Sequence, residues 1–225
     1  MNLRRGLLDL LFPPKCPFCR RVTDEGVCEA CRGKLPWVPE EEVLREDAGP
    51  FRCAAPLSYE GSVRDALLRL KFSGGIGAAE PLGELIAVCA AERLSGAFDC
   101  VTWVPVSKQR LKRRGYDQAR LLCEAACRLW KAKPLPLLEK TVDNPAQSGI
   151  EGGPSARRAN VQGVYRAADP GKINGRRILL IDDILTTGST LSECVRVLEE
   201  AGAENVVCAV LAQVRPDSEQ GKNTR

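Results

Sequence analysis

Residues 177–190 have the sequence RILLIDDILTTGST, and this stretch decides the fold. Its first five residues, Arg177 to Ile181, are almost wholly apolar, as in strands that are buried on both faces of a sheet. Two acids, Asp182 and Asp183, follow at the carboxyl end of this predicted strand. Open α/β sheets bind their ligands at that end, so the stretch predicts a parallel sheet and the edge where a site lies.

A loop rich in hydroxyl groups follows the two acids and leads into a predicted helix. Gly188 lets the backbone approach an anion closely, and the start of a helix offers free N–H groups and a positive dipole end. The loop's hydroxyl side chains are those of Thr186, Thr187, Ser189 and Thr190. A capped helix alone accounts for one hydroxyl group, not for four with two acids. Acids suit sugar hydroxyls or a divalent metal, so the stretch is typical of a site for a phosphorylated ribose.

The remaining pattern from residue 51 to residue 214 alternates helices with short apolar strands. Strands are predicted at Cys100–Val104 and Val206–Val210, and helices from about Tyr116 and after Gly188. This alternation predicts an α/β domain with a mainly parallel sheet flanked by helices. We therefore divide the chain into a cysteine-rich module (1–36), a linker (37–50), the α/β domain (51–214) and a polar tail (215–225) that we expect to be disordered.

The composition narrows the chemistry further. The 225 residues carry a formal charge of +4 and include 11 cysteines but no histidine. Nucleophilic triads that need histidine are excluded, as are metal sites with imidazole ligands. No apolar run is long enough for a membrane-spanning helix, and residues 3–12 favour a short amphipathic helix rather than an export signal. We therefore expect a cytoplasmic protein, in which cysteines are metal ligands or core residues rather than disulfides.

Four of the cysteines form two CxxC pairs, Cys16 with Cys19 and Cys28 with Cys31. Each pair can place two thiolates on one tetrahedral ion, and this spacing is typical of a structural zinc site. A redox pair and an iron–sulfur cluster are the alternatives. A further alternative is that the four are simply buried free cysteines, although so small and polar a segment could hardly bury four. The other seven cysteines are expected to pack in the core.

In combination, these motifs resemble the ComF family of competence-associated, phosphoribosyltransferase-like proteins. The resemblance covers roughly residues 7 to 213 and rests on the two CxxC pairs, on Val104-Pro105-Val106, on residues 114–119 (RGYDQA) and on the acidic motif. Gln147, Arg157 and residues 160–163 (NVQG) add to it. It implies a type I phosphoribosyltransferase fold with an N-terminal four-cysteine zinc ribbon. Asp117 departs from the family's usual asparagine, so the contacts of that position do not carry over directly.

The resemblance also implies how a ligand is held. Asp182 and Asp183 would hold the ribose hydroxyls of phosphoribosyl pyrophosphate, directly or through Mg²⁺, and residues 186–190 would hold its 5′-phosphate. The candidates for contacts to pyrophosphate or from a covering loop are Lys108, Arg113, Arg114, Gln118, Gln147, Arg157 and Asn160. The last three flank or lie in a long, poorly periodic segment, residues 143–159, whose length favours a lid or a disordered loop.

Three functions remain open on the sequence. The first is an enzyme that transfers the phosphoribosyl group with release of pyrophosphate, for which no catalytic residue is identifiable. The second is a DNA-uptake factor that binds a nucleotide or single-stranded DNA and works with uptake machinery. The third is a regulator that senses a ligand. The cations of residues 108–114 do not choose between them, because they suit a solvated face, a pyrophosphate clamp or a nucleic-acid backbone.

Overall fold

The structure is a computed structural model that describes residues 13–142 and 163–215. The helix predicted over residues 3–12 and most of the polar tail lie outside these ranges. The strands of the described ranges are β1 (Leu44–Arg45), β2 (Cys53–Ala54), β3 (Leu57–Ser58), β4 (Cys100–Trp103), β5 (Leu138–Lys140), β6 (Tyr165–Ala167), β7 (Arg177–Leu185) and β8 (Asn205–Gln213). The α-helices are α1 (Glu29–Arg32), α2 (Gly61–Phe72), α3 (Ala79–Arg93), α4 (Lys108–Arg114), α5 (Gln118–Leu129) and α6 (Ser189–Glu200).

Six of the strands form one sheet in the order β1-β2-β8-β7-β4, with β3 pairing β8 as well. All of its pairings are parallel except that of β1 with β2. Strands β5 and β6 form a separate antiparallel ribbon. The predicted α/β architecture with a mainly parallel sheet is therefore confirmed, and the two long central strands are the apolar runs recognised in the sequence.

The central strands β7 and β8 are buried on both faces because helices cover each face of the sheet. Residues of α2, α3 and α5 pack with Leu179 and Ile181 on one face. Residues of α6 pack with Ile178 and Leu180 on the other, as expected from the period-two geometry of a strand. The helices α3 and α5 approach closely at Gly83, where a Cβ atom would lie 2.5 Å from the Cβ of Ala125. A side chain there would push the two helices apart.

The parallel register brings two candidate site segments, the ends of β4 and β7, to one edge of the sheet. Trp103 at the end of β4 pairs with Ile181, and the next residue, Val104, donates its N–H to the Ile181 carbonyl at 3.0 Å. The residues that follow each strand, including Asp182 and Asp183 on β7, therefore emerge side by side. The fold places the basic helix α4 next to the acids although the two are far apart in the chain.

The segment predicted as a linker, residues 37–50, contains β1 at the edge of the sheet and two buried side chains, Val38 and Val43. The domain boundaries themselves stay a prediction. Within residues 13–142 and 163–215, no helix combines the length and the apolar character needed to span a membrane.

Candidate functional site

The four cysteines of the two CxxC pairs come together in the structure. The Sγ atoms of Cys16, Cys19, Cys28 and Cys31 all lie within 4.8 Å of one another, and those of Cys19 and Cys28 are 3.6 Å apart. Around a tetrahedral zinc ion with Zn–S bonds of about 2.3 Å, neighbouring sulfur atoms are about 3.8 Å apart. The cluster therefore fits one zinc ion held by four sulfur ligands.

The electrostatics of the cluster also favour a cation. Burial raises the thiol pKa of Cys31 to about 12, which disfavours four thiolates in the absence of a positive charge. Burial acts in the same direction on Cys16, but hydrogen bonds from the backbone of Cys19, Cys28 and Phe18 lower its pKa to about 6. Metal binding requires the thiolate form, so the backbone prepares one ligand and the ion offsets the charge of the others.

The seven remaining cysteines are buried, as the sequence predicts, and none of the eleven forms a disulfide. All eleven lie in the described residues. One of them, Cys53, lies in β2 opposite Cys208 of the neighbouring strand β8. Its thiol is fully buried, and burial raises its pKa, so it is a packing residue rather than a ligand.

The two acids of the fold-deciding stretch lie within the last part of β7, which extends to Leu185 rather than ending at Ile181. The N–H of Asp183 donates to Oδ1 of Asp182 at 2.8 Å. Asp183 is buried, and its Oδ2 lies 2.7 Å from Nζ of Lys71, at the end of α2. This oxygen is shielded from solvent and makes no aligned hydrogen bond to the described residues, so the ammonium group is its principal partner. We call Lys71, Asp182 and Asp183 the acidic edge.

The charges of the acidic edge are interdependent. Desolvation and the charge of Asp183 raise the pKa of Asp182 well above its ordinary value. Burial by itself lowers the pKa of Lys71, but the negative charge of Asp183 raises that pKa above the usual value. The edge therefore holds one ion pair and a second carboxyl group, that of Asp182, whose negative charge is disfavoured.

The predicted phosphate loop joins β7 to α6. Thr186 is exposed, Thr187 is half-buried and its Oγ1 lies 2.9 Å from Oγ of Ser189, and Thr190 lies in the first turn of α6. Gly188 has a φ of 73°, and a Cβ atom there would lie 2.1 Å from the carbonyl oxygen of Ala48. Both observations require glycine at this position. The helix start, the hydroxyl groups and the acids are thus contiguous.

The basic segment forms helix α4, which begins directly after the β4 edge. The Ser107 side chain caps it by accepting a hydrogen bond from the N–H of Arg110 at 3.1 Å. Lys108 and Arg113 are exposed, whereas Arg114 is half-buried and donates a hydrogen bond to Oε1 of Gln118. The structure therefore brings Arg114 and Gln118 together and leaves Lys108 and Arg113 facing solvent.

Asp117, the residue that departs from the family pattern, caps α5. Its Oδ1 accepts the N–H of Arg120 at 3.1 Å and its Oδ2 accepts the N–H of Val106 at 3.0 Å. Burial raises its pKa, an effect that these hydrogen bonds oppose. The helix predicted from about Tyr116 begins at Gln118 because Gly115 is left-handed and Asp117 is extended. The carboxylate here uses both oxygens as acceptors, whereas an asparagine has only one.

Gln147, Arg157 and Asn160 lie outside the described residues, as does the predicted lid. The residues that flank this segment are held in place. The N–H of Thr141 donates to the carbonyl of Val164 at 2.8 Å, and the N–H of Gly163 donates to Glu193 of α6 at 2.7 Å. The two ends of the segment therefore start from one side of the β5–β6 ribbon.

Two residues beside the acids were not identified from the sequence. Lys71 pairs with Asp183, and Phe72 is an exposed ring whose centroid lies 5.3 Å from the guanidinium carbon of Arg114. A lysine in the last turn of a helix is ordinary, because cations are favourable there. Only the fold shows that this turn reaches β7. The same helix also contacts the cysteine-rich module (1–36), since Arg69 donates a hydrogen bond to the carbonyl of Pro17 at 2.6 Å.

Comparison with family models gives two matches in this chain. A phosphoribosyl transferase domain matches residues 117–223, and a double zinc ribbon domain matches residues 7–66. The first includes the two acids and the predicted phosphate loop, and the second includes the four cysteines.

Three curated relatives match most of the chain. Competence protein F of Haemophilus influenzae is 36% identical over 212 residues, which cover 90% of this chain and 91% of the relative. Competence protein ComFC of Streptococcus pneumoniae is 30% identical, with 85% and 77% covered. The DNA utilization protein YhgH of Escherichia coli K12 is 28% identical, with 85% and 86% covered.

Solved structures give more distant matches. The allosteric regulatory enzyme of purine biosynthesis matches with a TM-score of 0.43 and 22% identity over 64% of this chain and 29% of that chain. The APRTase of Giardia lamblia matches with a TM-score of 0.41 and 16% identity over 70% of this chain and 76% of that chain.

Proposed function

We propose that this chain, which belongs to the ComF family of competence-associated, phosphoribosyltransferase-like proteins, binds phosphoribosyl pyrophosphate or a related ribose 5-phosphate ligand together with Mg²⁺. The observation that carries the proposal is the acidic edge, which lies directly before a glycine-centred hydroxyl loop and the start of α6. The acids suit ribose hydroxyls and a divalent cation, while the loop and helix start suit a phosphate. A phosphorylated sugar meets both requirements with one molecule.

The donor set fits Mg²⁺, which prefers carboxylate oxygens combined with phosphate oxygens of a substrate. Asp182 and Asp183 would hold the ion, which supplies neutralisation of the pyrophosphate charge. The disfavoured negative charge on Asp182 supports this role, because a cation beside it would stabilise the ionised form. Lys71 compensates the negative charge of Asp183.

The test is isothermal calorimetry of phosphoribosyl pyrophosphate with the full zinc-loaded chain, with and without Mg²⁺. The Asp182→Asn/Asp183→Asn variant is expected to lose binding by more than about tenfold, since charge-assisted contacts each contribute about 1.5–3 kcal/mol. The single Asp182→Asn variant, which leaves the Lys71–Asp183 pair intact, guards against an effect of misfolding. Asp65→Asn, an exposed acid on α2, serves as the control and should bind as the parent does.

Undiminished binding in both acid variants would overturn the proposal. Pyrophosphate released from the bound ligand in the presence of an added amine or nucleobase acceptor would extend it from binding to phosphoribosyl transfer. In that reaction the bond from C1 of the ribose to pyrophosphate breaks, and the acceptor nitrogen bonds to C1 with loss of a proton. Screening amines and nucleobases for pyrophosphate release would identify the acceptor. We expect this activity in the reducing cytoplasm.

Single-stranded DNA is the second candidate ligand, in keeping with a role in DNA uptake alongside the uptake machinery. The specific observation is α4, which presents Lys108, Lys112 and Arg113 to solvent beside the acidic edge. The names of three relatives concern competence and DNA utilization. Affinity for an oligonucleotide should fall steeply with salt if these cations replace counterions on the phosphates. Absence of salt-sensitive binding would exclude this candidate.

A further inference from the structure

Phe72, the last residue of α2, is the most exposed large apolar side chain in the part of the chain that the structure describes, at 70% of its full accessibility. Isolated apolar side chains on a surface are common and need no explanation. Phe72 differs in two ways: it comes directly after Lys71 of the acidic edge in the chain, and the guanidinium group of Arg114 lies over its ring. Its environment therefore points to a ligand rather than to an incidental exposure.

The cation beneath which the ring lies is Arg114, whose guanidinium carbon is 5.3 Å from the ring centroid. The hydrogen bond from Arg114 to Gln118 restrains the guanidinium group. Burial lowers the pKa of Arg114, and the negative charge of Asp183 acts against that shift, so this cation is close enough to feel the acidic edge. Arg114 covers one face of the Phe72 ring, and the side chain is otherwise largely exposed. The ring therefore offers a flat surface on which a nucleobase can stack.

The exposed cations of α4 lie on the same segment as Arg114. Lys112 and Arg113 are exposed, and neither has an ion-pair partner among the described residues. Unpaired cations beside an exposed aromatic ring are the combination that proteins use to hold single strands, with phosphates on the cations and bases on the ring. The two halves of that combination meet where the ring of Phe72 lies against Arg114, the last residue of α4.

We infer that Phe72, Arg114 and the exposed cations of α4 form a surface that binds single-stranded nucleic acid, with an unpaired base on Phe72. We call it the Phe72 surface. A free nucleobase is a poorer occupant, because stacking contributes only about 1–3 kcal/mol per base. A duplex is a poorer one because its bases are already stacked on one another. The inference rests on the second candidate function and specifies where on the molecule it would take place.

The test is fluorescence anisotropy of a labelled oligothymidylate of about 12 nucleotides, within the span of single-strand sites. Phe72→Ala should weaken binding by about tenfold with an unchanged dependence on salt, because stacking is lost and no phosphate contact is. Phe72→Trp should retain the affinity. Lys112→Gln should lower the slope of log affinity against log salt by about 0.7, the value for one phosphate contact on a single strand.

Two matched controls separate these effects from general changes of the surface. Val88→Ala removes another exposed apolar side chain, and Lys133→Gln removes another exposed cation, and both should bind as the parent does. Wild-type binding in Phe72→Ala together with an unchanged slope in Lys112→Gln would overturn the Phe72 surface while leaving the second candidate function in place. Failure of the parent chain to bind the oligonucleotide would overturn both. If thymidine monophosphate displaced the labelled oligothymidylate at the same concentration as an unlabelled oligothymidylate, a strand would not be needed and the inference would be contradicted.

Discussion

The four zinc-cluster cysteines lie between Cys16 and Cys31, whereas the acidic edge joins Lys71 of α2 to Asp182 and Asp183 of β7. The first site is made by a short segment that folds around its own ligands. The second exists only when α2 packs against the sheet and β7 pairs with β4. The two are connected by α2, which contacts the cysteine-rich module through Arg69 and the acids through Lys71. A local site therefore depends on an ion, and a distributed site depends on the fold.

The largest expected effect comes from removing one ligand of the cluster. Cys28→Ser should lower zinc content from about one ion per chain to less than about half, because four sulfur ligands are needed for a closed site. Zinc contributes about 10–16 kcal/mol to the folding of comparable small modules, so the N-terminal module should lose its amide protection. The measurement is elemental analysis by mass spectrometry together with hydrogen exchange.

The control for this change is Cys89→Ala, which removes a buried cysteine of α3 outside the cluster. It should keep its zinc. Full zinc content in Cys28→Ser, or zinc loss in Cys89→Ala, would break the assignment of the cluster.

The next effect tests the ion pair of the acidic edge. Lys71→Met leaves the buried carboxylate of Asp183 without its counter-ion and should lower the free energy of unfolding by about 2–3 kcal/mol. Removing one partner of a fully buried pair costs about 3–5 kcal/mol, and the partial exposure of Lys71 reduces that cost. Urea unfolding measures the difference.

An exposed ion pair gives the matched comparison. Lys172 and Asp169 are 3.0 Å apart and both are exposed, so Lys172→Met should cost less than about 1 kcal/mol. Equal costs for the two lysines would mean that the acidic edge is as well solvated as the surface.

Asp182→Asn tests whether the negative charge of Asp182 destabilises the folded chain. Desolvation raises the pKa of Asp182 in the folded chain above the unfolded value of about 3.9. The Asp182 carboxyl group therefore favours the folded state below about pH 3.9, where it is protonated in both states. This contribution to stability is lost as the pH rises through the folded-state pKa. The neutral amide avoids that loss, so the variant should exceed the parent by about 0.5–2 kcal/mol at neutral pH. The gain should vanish toward pH 4. A variant less stable than the parent at pH 7 would contradict the sign of this shift.

The smallest expected effect concerns Asp117. Asp117→Asn loses one of two accepted hydrogen bonds but removes a buried charge whose pKa burial has raised, so the opposing changes should leave a difference within about 1 kcal/mol. Asp117→Ala loses both bonds and the cap and should cost about 1–2 kcal/mol. Denaturant midpoints compare the two. A larger loss in the asparagine variant than in the alanine variant would mean that the carboxylate has another role.

The contrast between the two regions also explains what could be predicted. The CxxC spacing fixes the zinc ligands locally, and the period and composition of residues 177–190 predict a buried strand, a loop and a helix start. Lys71 and Phe72 could not be found in this way, because their contacts depend on where the end of α2 lies relative to β7 and α4. The end of β7 was placed too early for a related reason. Asp182 and Asp183 are unfavourable in strands, but the register with Val210 and Ala212 of β8 continues past them.

The most direct test of the central claim is amide hydrogen exchange over residues 182–190, with phosphoribosyl pyrophosphate added in the presence and absence of Mg²⁺. If the acidic edge and its loop hold the sugar phosphate, exchange at the loop and the first turn of α6 should slow several-fold with the ligand and Mg²⁺ together. It should change little with the ligand alone. Slowing that ignores Mg²⁺, or that spares residues 182–190 while other segments respond, would contradict the account.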